Sequence, residues 1–457
     1  MTENLENMSA SLQQYLDLYA DHCQLICEKS VEGFNRLRDE AYRNLKVTGL
    51  PKQGEENYEI IDIPAMLKPD YGLNIARIPI DVNIAEGFKC GLPHLSSSMF
   101  FLLNDRWAER RGARESLPDG IEIGPLSHYL NPGGAAENYY GKVADLANPL
   151  VALNTMLVQE GLYIRVKKDV KVERPVQLIN LLENTMPLMA VRRLLIILEE
   201  NASLKLLSCD HCSAGIDMAS ILVAEIIASR GSRLEYYDME ESSASVSRVM
   251  SLYSRQETGS EVVIENFTLH NGVTRNEYHC SLDSTDASLR LCGMGIEGGK
   301  SILDNYSHIS HNAKDCHTDE LFKYILEDES KGAFTGRIYV APGASGTEAY
   351  QSNRNLVGSN RVRMHSKPQL EIYNDDVKCS HGSATGQLDA MQLFYMRQRG
   401  LSDAEARMLL KQAFMSDIIE GVSLIPLRDR LHSLVERRLS GEEVTCSECD
   451  LCHSSTR

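Results

Sequence analysis

The strongest constraint on this chain is a turn that keeps returning. Asn201-Ala202-Ser203-Leu204-Lys205-Leu206, Arg230-Gly231-Ser232-Arg233-Leu234-Glu235-Tyr236, Thr258-Gly259-Ser260-Glu261-Val262-Val263 and Asp286-Ala287-Ser288-Leu289-Arg290-Leu291 each set a small residue and a serine ahead of an alternating run. The serines step by 29, 28 and 28 residues, and Gly343-Ala344-Ser345-Gly346 resumes the phase 57 residues beyond Ser288, after one skipped repeat. Alternation at period two marks half-buried strand. A unit this short cannot bury its apolar face alone, so successive units must stack. Leucine-rich repeats have similar periods but a different signature, and helical repeats do not alternate. The expected fold is mainly β, a right-handed β-helix-like solenoid; a plain β-sandwich with chance spacing is the alternative.

The flanks read differently. From Ser9 to Leu45, Leu12, Tyr15, Leu16, Tyr19, Cys23, Ile26 and Cys27 recur at helical spacing among charged residues, an amphipathic pattern. Between Gly49 and Asn148, Leu50-Pro51, Gly91-Leu92-Pro93 and Asn131-Pro132-Gly133-Gly134 break the chain into short runs of mixed structure. Beyond the solenoid, a helix over Gln392 to Gln398 ends at Gly400, and Ser402-Asp403-Ala404-Glu405 is a capping box opening the next. That helix carries Leu409, Leu410, Ala413, Phe414 and Ile418 on one side and ends near Gly421. Pro426 then suits the first turn of a last helix through Leu431, Leu434 and Val435. The expected organisation is a helical and mixed region over 1–150, a solenoid core over 151–385, a helical domain over 386–441 and a Cys-rich tail over 442–457.

Charge and cysteine content narrow the function classes. Lys and Arg total 47 against 64 Asp and Glu, a net charge of −17 that repels nucleic-acid backbones and anionic lipid surfaces. No run offers the uncharged length of a spanning helix; Leu194 to Leu198 is flanked by Arg192, Arg193, Glu199 and Glu200. The start shows neither a secretory signal nor a transit peptide, and the 12 scattered cysteines read as reduced thiols, so a cytoplasmic setting is expected.

The chemistry-bearing stretch is Asn374-Asp375-Asp376-Val377-Lys378-Cys379-Ser380-His381-Gly382. If it is a strand, Cys379 and His381 leave the same face. Imidazole suits iron and zinc, while thiolate selects zinc or iron–sulfur chemistry. The plainer reading is a buried cysteine and a hydrogen-bonded histidine that only pack.

Lys367-Pro368-Gln369-Leu370-Glu371-Ile372-Tyr373, that stretch, Gln387-Leu388-Asp389 and Gln392-Leu393-Phe394-Tyr395 together resemble the SufB/SufD family, scaffold subunits of the SUF iron–sulfur cluster assembly complex. Ala349-Tyr350-Gln351-Ser352-Asn353-Arg354-Asn355-Leu356 and Tyr306-Ser307-His308-Ile309-Ser310-His311 share the likeness, which runs from Leu153 to Leu439 and weakens before it. The Cys379-Ser380-His381 segment points to the SufD branch, because SufB carries a glutamate-containing segment there. The resemblance implies a non-catalytic scaffold with a β-helix core and a heterodimer with a SufB-like subunit. It also implies an ABC-type ATPase, SufC, docked on the C-terminal helices, and a transient iron–sulfur cluster at the scaffold interface. His381 would be among its ligands, with Cys379 a weaker candidate. The last solenoid strands, about Met364 to Val377, would form the pairing edge.

Other clusters carry less. His308, His311, Asp315, Cys316 and His317 match no strict zinc spacing, and Cys209-Asp210-His211-Cys212 supplies half a tetrahedral site. Gly298-Gly299-Lys300-Ser301 ends like a phosphate-binding loop but has Met294 where that loop needs glycine, so it reads as a strand turn. In the tail, Cys446, Cys449 and Cys452 have the spacing of three thiolates on one cluster or a metal. Two other classes stay open. One is a SufB-like or homodimeric scaffold, a homodimer also being the form open to the chain alone. The other is a β-solenoid carbohydrate-active enzyme, against which adjacent Asp375 and Asp376 would face opposite ways on a strand.

Overall fold

The computed structural model describes residues 9–79, 95, 97–109, 114, 117–212 and 215–441. Its strands are β1 (Ser98–Leu103), β2 (Arg106–Glu109), β3 (Ile121–Pro125), β4 (Gly161–Val166), β5 (Val176–Leu182), β6 (Leu188–Leu198), β7 (Ser203–Cys212), β8 (Met218–Ala228), β9 (Arg233–Glu241) and β10 (Val246–Gln256). They continue with β11 (Glu261–His270), β12 (Val273–Leu282), β13 (Ser288–Glu297), β14 (Ile302–His311), β15 (His317–Leu326), β16 (Lys331–Val340), β17 (Thr347–Val357), β18 (Arg363–Ile372) and β19 (Val377–Gly386). From β4 onward the chain alternates between two sheets. Odd strands stack in the order β19-β17-β15-β13-β11-β9-β7-β5-β1-β2, and even strands as β18-β16-β14-β12-β10-β8-β6-β4-β3. The rung-to-rung pairs are parallel, whereas β2 on β1 and β3 on β4 are antiparallel and begin the stack. This is the β-solenoid that the repeat predicts.

The turn that drives the repeat is more regular than its serines. Asn201, Gly231, Gly259, Asp286, Asp315 and Gly346 all have positive φ, the left-handed conformation that glycine adopts freely and Asn or Asp tolerate. Each turns its N–H to a carbonyl of the next rung: Asn201 to Arg230, Gly231 to Thr258, Gly259 to Thr285, Asp286 to Lys314, Asp315 to Ser345 and Gly346 to Asp376, at 2.8–3.3 Å. The residue after it is small and buried: Ala202, Ser232, Ser260, Ala287, Cys316 and Thr347. Ser203 and Ser288 therefore sit one place later in their rungs than Ser232 and Ser260, and Ser345 sits before its turn residue. The skipped repeat is β15, whose turn uses Asp315 and Cys316 in place of a serine.

Strands such as β6 and β8 are buried along their whole length because both faces are covered. Helix Ala10–Glu28, capped by Ser9, and helices Arg38–Thr48 and Pro149–Leu157 lie against the outer face of the even sheet, on Met189, Val191, Leu195, Ile221 and Val249. Buried Arg38 binds the carbonyls of Met156 (2.9 Å) and Val158 (2.6 Å), tying the first helices to the third. On the odd sheet, helices Asp403–Ile419 and Ile425–Ser440 cover Leu207, Tyr237, Phe267, Met294 and Ile325. The capping box forms as expected, since Ser402 Oγ accepts from Glu405 N and Glu405 accepts from Ser402 N. The expected side of that helix is buried only toward its end, at Ile418 with Phe414 packed beside it. Leu409 is 39% exposed, and Ala406, Met415 and Ile419, outside the expected set, are buried together with Ile418. The helix touches the sheet with its C-terminal half, where Lys323 Nζ binds Phe414 O (2.7 Å) and Asp417 Oδ2 (2.6 Å). No helix among the described residues is long and apolar enough to cross a membrane.

The interior of the solenoid is partly polar. Arg248 reaches Asp210 (2.9 Å), Asp238 (2.7 Å) and Glu240 (3.6 Å), and Arg192 adds a second contact to Asp210 at 3.4 Å. Deleting one partner of such a set strands buried charge, at about 3–5 kcal/mol. Two guanidiniums cannot serve three carboxylates, and burial pushes Glu240 up to about 7. Burial likewise raises Glu265 and Glu320 to about 7 and Glu297 to about 8. Carboxyls raised above their unfolded values stabilise the fold fully at acid pH and lose that contribution as pH climbs through 7 to 8. The melting temperature should therefore fall by several degrees between pH 6 and pH 9. Glu297→Gln should recover part of that loss at pH 9 and change little at pH 5, as read by thermal melts across pH.

Candidate functional site

The solenoid starts on short antiparallel strands and finishes on two parallel ones. Among the described residues β18 pairs only with β16 and β19 only with β17, so each presents an unpaired edge. β19 is largely solvent-exposed and β18 is half-buried along most of its length, whereas the strands beneath them are mostly buried. The unpaired edge extends beyond the Met364 to Val377 span expected to pair with a second chain. It comprises β18 and also β19, the strand that carries Cys379 and His381 themselves. Asp375 and Asp376 lie in the turn between these strands, not on a strand face.

Register fixes what the end displays. Cys379 pairs with Ala349, His381 with Gln351, Ser383 with Asn353 and Thr385 with Asn355. Cys379 is half-buried against the apolar interior and Ala349 is fully buried, so this set faces the bore, and His381, two residues on, leaves the same face. His381 itself is exposed. Burial raises the Cys379 thiol above its ordinary value, an effect that a backbone hydrogen bond at Ala349 only partly offsets.

Beneath His381 the column is polar for two rungs. Gln351 Nε2 donates to Glu320 Oε2 at 2.6 Å, and Gln351 Oε1 and Glu320 Oε1 have no hydrogen-bond partner. The next residue in register is Leu291, where the apolar core resumes. Across the bore, Ser366 of β18 and Ser383 of β19 share a hydrogen bond of 2.7 Å, and Ser366 Oγ also donates to Asn353 Oδ1. Asn355 Nδ2 donates to Thr385 Oγ1 at 2.9 Å. The mouth is thus a polar rim around one thiol and one imidazole. Gln351 stood within the Ala349 to Leu356 segment, but its place behind His381 depends on strand register, which spacing alone does not reveal.

A soft thiol and an imidazole are two donors, half of a tetrahedral site. Among the described residues no group of three or more His, Cys, Asp or Glu converges on a metal-sized point.

The other clusters do not converge. His308 lies on the outer face of the even sheet beside His279 (6.3 Å between rings) and Arg337, and its pKa is lowered to about 4 by burial, His279 and Arg337. His311 faces the interior and bonds Thr318 Oγ1 at 2.9 Å, while Cys316 is buried in its turn and donates to Ser284 and Lys314 carbonyls. Cys209 and Cys212 are three apart on β7 and face opposite ways, Cys209 packing under the C-terminal helices. Gly298 to Ser301 turns directly into strand β14, with Gly299 in the left-handed region; no helix follows to hold a phosphate. Cys446, Cys449 and Cys452, like Gly91-Leu92-Pro93, lie outside the described residues.

A second surface stands out on the C-terminal helices. Helix Ala390–Gln398 buries only Leu393 and exposes Met391 (73%), Phe394 (58%) and Tyr395 (59%). Large apolar side chains clustered in solvent mark an interaction surface.

Comparison with known proteins bears on both surfaces. The family model for the SUF system FeS cluster assembly SufBD core domain matches residues 181–414, and that for the SufBD protein N-terminal region matches 9–178. An iron-sulfur cluster assembly SufBD family protein of Synechocystis is 26% identical over 399 residues, 85% of this chain and 87% of that protein. The iron-sulfur cluster assembly protein SufD of Escherichia coli is 32% identical over 176 residues, 38% of this chain and 42% of that protein. SufD of Bacillus subtilis is 24% identical over 294 residues, 64% of this chain and 67% of that protein.

The raised Cys379 thiol gives a direct check. Its alkylation in the native chain, followed by peptide mass spectrometry, should be slow at pH 7 and climb about tenfold per pH unit through pH 9. A plateau below pH 8 would mean that the site already holds a thiolate.

Proposed function

Because this chain belongs to the SufBD family of the SUF iron–sulfur cluster assembly system, we propose that it is a SufD-like scaffold subunit. In this reading it pairs with a SufB-like sister through the free edges of β18 and β19. The observation that carries it is an incomplete donor set, Cys379 and His381, on a strand with no neighbour on one side. Unpaired N–H and C=O groups recruit a second strand, and a second chain seated there brings the missing ligands. The cluster is cargo, built at the shared border and then released. His381 is the principal ligand from this side. Cys379 must lose its proton before it can bind, so its contribution grows with pH.

The chain does no turnover of its own. ATP hydrolysis belongs to a SufC-like ATPase docked on the C-terminal helices, with Met391, Phe394 and Tyr395 as its contact surface. Nucleotide-driven motion reaches the solenoid through the Lys323 contacts to helix Asp403–Ile419 and opens the seam. The protein works in the reducing cytoplasm, where its thiols stay free. The same edges allow a homodimer when the sister is absent.

Co-expression with a SufB-like and a SufC-like subunit tests the reading. His381→Ala should abolish cluster formation while the three-part complex still co-purifies; undiminished cluster yield would remove His381 from the ligand set. Cys379→Ala should reduce yield less.

The docking surface has its own test. Replacing Met391, Phe394 and Tyr395 by serine should strip the ATPase from the complex and leave the scaffold pair intact. Retention of the ATPase at wild-type stoichiometry would place docking elsewhere.

A further inference from the structure

The polar column behind His381 ends on an amide that is only half used. Gln351 of β17 stands in register directly beneath His381 of β19, on the face that looks into the bore, and Glu320 of β15 is the next residue below. Gln351 is 3% exposed and Glu320 is fully buried. Gln351 Nε2 donates down the column to Glu320 Oε2 at 2.6 Å. Across the bore the amide rests against Gly336 of β16, where a Cβ would collide with Nε2, so only glycine leaves it room. One contact below and one opposite hold the amide in place.

Gln351 Oε1 is buried and has no hydrogen-bond partner. An amide points its oxygen away from its nitrogen, so with Nε2 turned to β15 the oxygen is on the side of β19. A buried acceptor left unpaired bears the full cost of its desolvation. Adjacent strands lie about 4.8 Å apart, and the side chain that stands over Gln351 is an imidazole, whose ring N–H is a donor. His381 is exposed, so its ring can turn onto the amide without disturbing packing. Its neighbours on that face of β19 stand over other residues: Cys379 over Ala349, and Ser383, already bonded to Ser366, over Asn353.

A neutral imidazole has one protonated nitrogen and one bare nitrogen, and only the bare one can ligate. A partner on the protonated nitrogen fixes the tautomer and the ring plane. We propose that Gln351 is the positioning residue for His381: its Oε1 accepts the hydrogen of one ring nitrogen and leaves the other, unprotonated, turned outward to the seam. The proposal rests on the reading of His381 as a ligand and adds what orients it. Gln351 touches no cargo; it acts through the imidazole, while Glu320 and Gly336 act through Gln351.

Two variants separate orientation from packing. Gln351→Met keeps the length of the side chain and removes the acceptor. Gln351→Glu keeps an acceptor oxygen, and Glu320, whose carboxyl is pushed up to about 7 by burial, supplies the proton that two adjoining carboxyls share. The first measurement is nuclear magnetic resonance of the full chain alone, labelled with nitrogen-15 at histidine, with the His381 signals identified by their loss in His381→Ala. Wild type and Gln351→Glu should show a single His381 tautomer with its ring N–H protected from solvent. Gln351→Met should show ring nitrogens averaged by exchange and no ring N–H signal. The second is cluster yield in the co-purified complex with the SufB-like and SufC-like subunits. Gln351→Met should lower it about tenfold or more, and Gln351→Glu should retain most of it, with both variants melting close to wild type. Identical His381 spectra in wild type and Gln351→Met, or equal loss of yield in the two variants, would overturn the proposal and leave His381 a ligand. Undiminished yield in His381→Ala would overturn the ligand reading, and the proposal with it.

Discussion

The structure depends on one requirement: every rung must be satisfied by the rung above it. Each left-handed residue at Asn201, Gly231, Gly259, Asp286, Asp315 and Gly346 hands its N–H upward, and each strand hands a full row of amides to its parallel neighbour. Satisfaction is passed along the stack and never completed within a unit. Whatever stands at the last position inherits the deficit. Here that position is the pair β18 and β19, and the residues exposed by it include the thiol and imidazole of the candidate site. Fold and site thus share a cause, since a donor pair on an interior rung would have been sealed by the next strand.

The architecture was legible because the left-handed turn imposes composition. Only Gly, Asn or Asp is comfortable there, followed by something small, and that pair survives as a spacing near 28 residues. The serines were a neighbouring symptom, which is why their phase slips by one between Ser203 and Ser232 and fails at Cys316. The shared face of Cys379 and His381 followed from strand pleat alone. Three things were not legible. Helix Asp403–Ile419 carries apolar residues on more than one side, so which side meets the sheet was decided by the anchor at Lys323, a residue 80 positions earlier than Asp403. The alignment of Gln351 and Glu320 behind His381 needs a register that no local pattern encodes. The buried Arg192 and Arg248 look like surface residues until their side of the strand is known to face the bore, where Asp210 and Asp238 meet them.

That polar interior deserves comparison with the apolar rungs around it. A solenoid core of leucine and isoleucine would tolerate a slip of two residues between neighbouring strands at modest cost, because the pattern repeats at that interval. Arg248 gripping Asp210 and Asp238 from the opposite sheet does not tolerate it. The same slip would leave charge buried and unmatched. The network therefore acts as a registration device, and the raised carboxyl of Glu240 is what remains when three acids share two bases.

The two ends of the stack are chemically unlike, and this limits what copies or relatives can build. The beginning is terminated by short antiparallel strands, β2 on β1 and β3 on β4, which run against the direction that a further parallel rung would need. A finish can meet another finish, but the parallel order cannot continue from a finish onto a beginning. In the proposed pairing finish meets finish, and an isologous contact of that kind closes at two chains related by an approximate dyad.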